Sequence, residues 1–119
     1  MSDYLGVQYD LPACFKGDTF PGLTVTGITV NDAAMTSTLA SVRMQFRTTA
    51  NASSASKSLT SAGGDITIDD AAAWGFTVEP FSIDIAAREY VYDIETTDSG
   101  GTVRTYLYGT FRVKQDVTR

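Results

Sequence analysis

Catalysis draws on a short set of side chains, and this chain of 119 residues lacks the most versatile of them: it has no histidine. A Ser-His-Asp or Cys-His relay, in which imidazole carries the proton, has no centre here. Zinc sites built on imidazole are excluded in their usual form for the same reason. The single cysteine, Cys14, stands beside Phe15 in what reads as a strand. Free cysteine in that setting behaves as a small hydrophobe, and we expect this of Cys14 rather than a nucleophilic role. Carboxylates come next. Asp65, Asp69 and Asp70 lie close together, and Asp93 and Glu95 share one strand face. Such groups can hold Ca²⁺ or work as an acid/base pair. Their spacing does not match an EF-hand loop, and their surroundings suit turn-forming, solvated acids. No glycine-rich loop opens a helix, so no phosphate cradle is expected. The side chains therefore predict a protein that is not an enzyme and uses no metal and no cofactor.

Aromatic and basic residues are left. Tyr90, Tyr92, Tyr106 and Tyr108 lie in the last third of the chain, and Arg104, Tyr106, Tyr108 and Arg112 alternate along one segment. Alternation puts these four on one outward face. Tyr and Arg are enriched at protein interfaces, which makes Arg104, Tyr106, Tyr108 and Arg112 the candidate partner-binding set. Cross-strand packing on an exposed sheet face accounts for the same residues equally well.

The elements that position them are strands. Residues 102–114 alternate with period two. Val103, Thr105, Leu107, Gly109, Phe111 and Val113 fall on one side, and Thr102, Arg104, Tyr106, Tyr108, Thr110, Arg112 and Lys114 on the other. An alternation this long fits a half-buried antiparallel strand and nothing helical. Asp98-Ser99-Gly100-Gly101 supplies the reversal that joins it to Tyr90–Glu95. Val42, Met44 and Phe46 point one way along Ser41–Thr48, against Arg43, Gln45 and Arg47, and are expected in the core. Trp74, Phe76 and Val78, then Phe81, Ile83 and Ile85, repeat the pattern on either side of Pro80. Gly22–Val30 and Asp65–Asp69 read as further strands. Tyr9–Phe15 reads as an edge strand, because Pro12 cannot donate to a ladder. Asp70-Ala71-Ala72-Ala73 suits one helical turn capped by Asp70. Thr49–Gly64, rich in Ser, Ala and Thr, reads as an exposed connector in preference to one carrying a weak strand at Lys57–Thr60.

Many short strands with turn signals between them predict an all-β fold, a single-domain antiparallel β-sandwich. Residues 9–119 form that domain, and residues 1–8 are expected to be an N-terminal arm. Hydrophobic residues make up 43% and charged residues 19%, a globular balance. The N-terminus lacks a basic start and an apolar stretch, and no apolar run is long enough to span a bilayer, so neither export nor membrane insertion is expected. One cysteine cannot form an intrachain disulfide, which suits assembly in a reducing cytosol. A net charge of −5 argues against nucleic acid as a partner.

Taken in order, several segments resemble a family of small phage virion proteins with an immunoglobulin-like domain, similar to the N-terminal domain of the siphophage baseplate upper protein. They are Phe15–Phe20, Val42–Arg47, Gly64–Ala72, Tyr90–Glu95, Gly109–Val113 and Asp116–Thr118. The resemblance runs from about Phe15 to the C-terminus. It departs from the family at Arg88-Glu89, where members often carry a glycine. It implies an immunoglobulin-like sandwich, with Tyr90 as a tyrosine corner bonded to upstream backbone. It further implies a structural protein of the virion, assembled in the host bacterial cytoplasm and present in many copies or as a homo-oligomer. Its partners would be other virion proteins of tail, baseplate or capsid. A tail, baseplate or fibre adaptor ranks above a capsid decoration protein, and a module binding a host-surface glycan or protein is the alternative.

Overall fold

A computed structural model describes residues 7–26, 29–30, 33–34 and 37–115. The expected arm residues 1–6 and the segment 116–119 lie outside the described residues. Among the described residues every regular element is a strand.

The larger sheet grows from the strongest alternating segments. β12 (Glu89–Asp98) and β13 (Val103–Lys114) form an antiparallel hairpin. β7 (Leu39–Arg47) lies antiparallel on the other side of β12, and β8 (Lys57–Thr60) closes that edge. At the opposite edge the N-terminal segment runs parallel to β13 in two pieces, β1 (Val7–Gln8) and β2 (Cys14–Phe15). Between them Tyr9 and Leu11 donate to the carbonyls of Tyr108 and Thr110 at 2.8 and 2.9 Å. Pro12 sits in the break, where its missing N–H costs no ladder bond. The boundary expected after residue 8 thus falls inside a stretch bonded to β13 on both sides of it.

Shorter strands make the second layer. β10 (Gly75–Val78) lies between β4 (Leu23–Val25) and β9 (Ile66–Asp70), all antiparallel. β11 (Phe81–Ser82) pairs with β3 (Thr19–Phe20). β5 (Thr29–Val30) and β6 (Ala33–Ala34) form a small ladder of their own. The segment read as one strand from Gly22 to Val30 is therefore divided between two ladders.

The two layers share one core. Val42, Met44 and Phe46 of β7 and Tyr92 and Ile94 of β12 are buried in one cluster with Phe76 and Val78 of β10 and Ile66 of β9. Phe20, Phe46, Phe81 and Phe111 cluster, with ring centroids 5.0–6.1 Å apart. Such offset and edge-to-face contacts add to the burial itself. Tyr90 opens β12 as a buried ring whose hydroxyl donates to the Ala86 carbonyl at 2.6 Å. The bond ties the connection entering β12 to the strand.

Two further expectations change. Lys57–Thr60 is an edge strand, not connector: Leu59 is buried opposite Met44. Lys57 runs its ammonium over the Phe81 ring, 5.1 Å from the centroid, and keeps the charge at the rim. Only one of its four residues is apolar, so tertiary pairing decides the strand and local pattern does not. Second, Ala71–Ala73 make a turn and no helix. Asp70 caps it as expected, accepting from the Ala73 N–H at 3.2 Å. Trp74 then adopts φ 64°, which ends any right-handed helical path.

At the far end Asp98 holds the β12–β13 turn. Its carboxylate accepts from the N–H groups of Gly100 and Thr102 and from the Ser37 hydroxyl, at 2.9, 3.0 and 3.0 Å, and faces Arg104 at 3.8 Å. The Thr102 N–H, with help from Ser37, Gly100 and Arg104, pulls its pKa below the usual carboxylate value, against the opposing effect of burial. A depressed folded-state pKa contributes stability that is complete above the unfolded value of about 3.9 and is lost as pH falls through the folded value. We therefore expect Asp98→Asn to lower the melting temperature at pH 7. The gap to wild type should close as pH drops below about 4, where the protonated acid resembles the amide. Melting curves of both proteins from pH 7 to pH 2 check this.

Candidate functional site

The β12–β13 ladder contains a bulge that reorganises the expected site. Ile94 pairs with Leu107 and Glu95 with Thr105, so Tyr106 is an extra residue. An inserted residue reverses which side chains face inward. From Leu107 onward the odd positions Leu107, Gly109, Phe111 and Val113 are buried, as the alternation predicts. Before the bulge the parity flips. Val103, expected inward, is 57% exposed. Arg104, expected outward, lies opposite buried Thr96, whose hydroxyl donates to the Arg104 carbonyl at 3.3 Å.

The four residues singled out in the sequence are thereby separated. Tyr106 packs against the core, its ring edge-to-face with Phe76 at 6.3 Å. Burial raises its pKa. Arg104 turns to Asp98. Tyr108 and Arg112 face outward, at different points along β13, and Tyr108 is 43% exposed. The structure thus does not bring the four together: two serve the interior and the hairpin, and two remain on the outer face.

The strand register assembles another set around Tyr108. Gln45 of β7 pairs with Asp93 of β12, Asp93 with Tyr108 of β13, and Tyr108 with Gln8 of β1. Outward side chains on adjacent strands stand about 4.8 Å apart, so this register makes a continuous transverse row. Arg47, Val91 and Thr110 form the neighbouring row. Together they line a groove of about 380 Å³ on the outer face of the large sheet. That volume lies in the range of small-molecule sites, about 300–1,000 Å³.

The groove is held by a polar frame. Arg47 donates to the Ala52 carbonyl and to Gln45 Oε1, both at 2.9 Å, and Gln45 reaches Ser58 at 3.4 Å. Beside it Arg43 pairs with Glu95. Asp93 is half-buried, and among the described residues no donor hydrogen bonds to its carboxylate. Burial and then the Glu95 charge raise its pKa, while Arg43 and Arg47 pull the other way. Sequence reading missed Gln8, Gln45 and Asp93 as a set because they come from distant strands. The usable signal was that Gln45 and Asp93 are outward positions on β7 and β12, two strands with clear alternation.

The remaining candidates have structural partners. Asp65 accepts from the Thr60 N–H, Asp69 from the Thr77 hydroxyl and Asp70 from the Ala73 N–H. Among the described residues no group of three or more His, Cys, Asp or Glu is placed to hold a metal ion. Cys14 is half-buried against the core, and burial, followed by Asp18, raises its thiol pKa. Among the described residues no helix is long and apolar enough to cross a membrane.

No protein-family model, curated protein or solved structure matches the chain.

Proposed function

We propose that this protein is a non-enzymatic structural component of a bacteriophage particle, an adaptor or decoration subunit built on an immunoglobulin-like sandwich. The ordered motifs from Phe15 onward support the reading, and so does the all-β body of antiparallel strands around one core. The observation that carries it is the Tyr90–Ala86 bond. A tyrosine corner at the start of a late strand is characteristic of Greek-key sandwiches of this type. It stands where the resemblance implies it, although the neighbouring family glycine is replaced by Arg88-Glu89. In this reading the protein joins other virion proteins in many copies. Tail, baseplate or fibre is the leading location, since the resemblance is to a baseplate domain.

Mass spectrometry of particles purified from the phage that encodes the chain tests the proposal. Recovery in stoichiometric amount with the structural proteins supports it, and absence from the particle refutes it. Gold labelling of a tagged copy then separates tail from capsid.

A further inference from the structure

We propose that the groove around Tyr108 is a binding site for a neutral saccharide, seated on the Tyr108 ring and hydrogen bonded by Asp93, Gln45 and Gln8. The inference stands independently of the particle assignment, because it rests on the outer sheet face alone.

The strand register places an amide, a carboxylate, a phenol ring and a second amide side by side across four strands. A pyranose presents a matching surface: hydroxyl groups around its edge and a flat C–H face that packs on an aromatic ring. Tyr108 is one of few large hydrophobic side chains left exposed among the described residues. Asp93 offers acceptor capacity that no donor among the described residues fills, in a half-buried place where an unmet carboxylate costs stability. Arg47 and Gln45 are already pinned by each other and by Ala52 and Ser58, so ordering them costs little on binding.

Charge and topology narrow the occupant. The carboxylate of Asp93 and the guanidinium of Arg47 balance within the groove, which favours a neutral ligand. With a net charge of −5, the chain repels a polyanion. A peptide added as a strand needs a free sheet edge, whereas the groove crosses the face of paired strands, so backbone-ladder capture is not available there. The size of about 380 Å³ suits one or two sugar rings.

The test is a ¹⁵N-HSQC titration of the full chain with glucose, galactose, N-acetylglucosamine, N-acetylgalactosamine and rhamnose, each to about 50 mM, near the millimolar affinity expected of a small open site. A calcium chloride titration runs in parallel. At least one sugar should give saturable shifts centred on the amides of Gln45, Asp93 and Tyr108–Thr110. Tyr108→Ala should weaken it at least about tenfold, as for an aromatic anchor. Asp93→Asn should weaken it too, and Arg112→Ala, outside the groove, should leave it unchanged. Each variant's unperturbed spectrum elsewhere confirms its fold. The proposal is overturned if no sugar shifts these amides, if Tyr108→Ala binds as wild type does, or if calcium alone perturbs the groove. Particle proteomics is indifferent to all these outcomes, so failure of one reading does not touch the other.

Discussion

Trp74→Ala should be the most damaging single substitution in the chain, lowering stability by about 3–5 kcal/mol, the usual cost of truncating a buried large aromatic. For a domain of this size that corresponds to a fall of roughly 10–20 °C in melting temperature. Trp74 is fully buried and its indole N–H donates to the Ser37 carbonyl at 2.7 Å. Truncation opens a cavity and strips that carbonyl of its donor. The backbone adds a second feature. Trp74 is the only described non-glycine residue with positive φ, a conformation that costs about 1–3 kcal/mol and is kept because the ring is locked in place. Trp74→Gly creates the same cavity but relieves the strain, so it should be less destabilising than Trp74→Ala by about 1 kcal/mol. Denaturant unfolding of the two variants separates packing from strain. Equal losses would mean that the backbone at this position is unstrained.

Gly109→Ala should be nearly as costly, for the opposite reason. A Cβ at Gly109 would lie 2.3 Å from the Tyr9 carbonyl oxygen and 2.8 Å from its carbon. These are backbone atoms and cannot swing away. The same Tyr9 carbonyl accepts from the Tyr92 hydroxyl, and Tyr92 pairs with Gly109 in the sheet. The glycine is thus the gap through which the N-terminal edge reaches the core side of β13. Filling it should lift the segment and break the Tyr9 and Leu11 bonds to β13. It should also free the Asp10 carboxylate from the Thr110 N–H and expose Leu11. We expect a loss of about 2–4 kcal/mol, combining overpacking with an orphaned hydroxyl. Amide exchange at Tyr9 and Leu11 should accelerate far more than at Met44 or Ile94. In a Tyr92→Phe background the penalty should shrink, because the two changes disrupt one contact. Full additivity would show that the edge is not tied down in this way.

These two residues show where sequence reading reaches and where it stops. The burial of Trp74, Phe76 and Val78, and of Val42, Met44 and Phe46, follows from alternation, which is local and needs no knowledge of partners. The hairpin around Asp98–Gly101 is legible for the same reason, since turn chemistry sits between two alternating runs. The edge position of the Pro12 segment follows from a missing donor. Beyond that, local signals fail. β8 carries a single buried apolar side chain, and its pairing with β7 supplies what its pattern lacks. The bulge at Tyr106 leaves no mark in the sequence, because Thr-Tyr-Leu-Tyr continues the alternation through the residue that breaks it. That one insertion sends Tyr106 and Arg104 to the inner side and divides the expected binding set. The groove is illegible for a related reason: Gln8, Gln45, Asp93 and Tyr108 meet only through registers between strands far apart in the chain.

The separation of Tyr106 and Arg104 from Tyr108 and Arg112 depends on that bulge, and two tyrosines two residues apart report on it directly. The decisive measurement is the thermal unfolding of Tyr106→Ala beside that of Tyr108→Ala. With Tyr106 packed on Phe76 and Tyr108 on the surface, the first should lose about 1–3 kcal/mol. The second should stay within about 0.5 kcal/mol of wild type. Equal losses would put both rings on one face and rule out the bulge, and a greater loss at Tyr108 would place that ring in the interior and remove the groove.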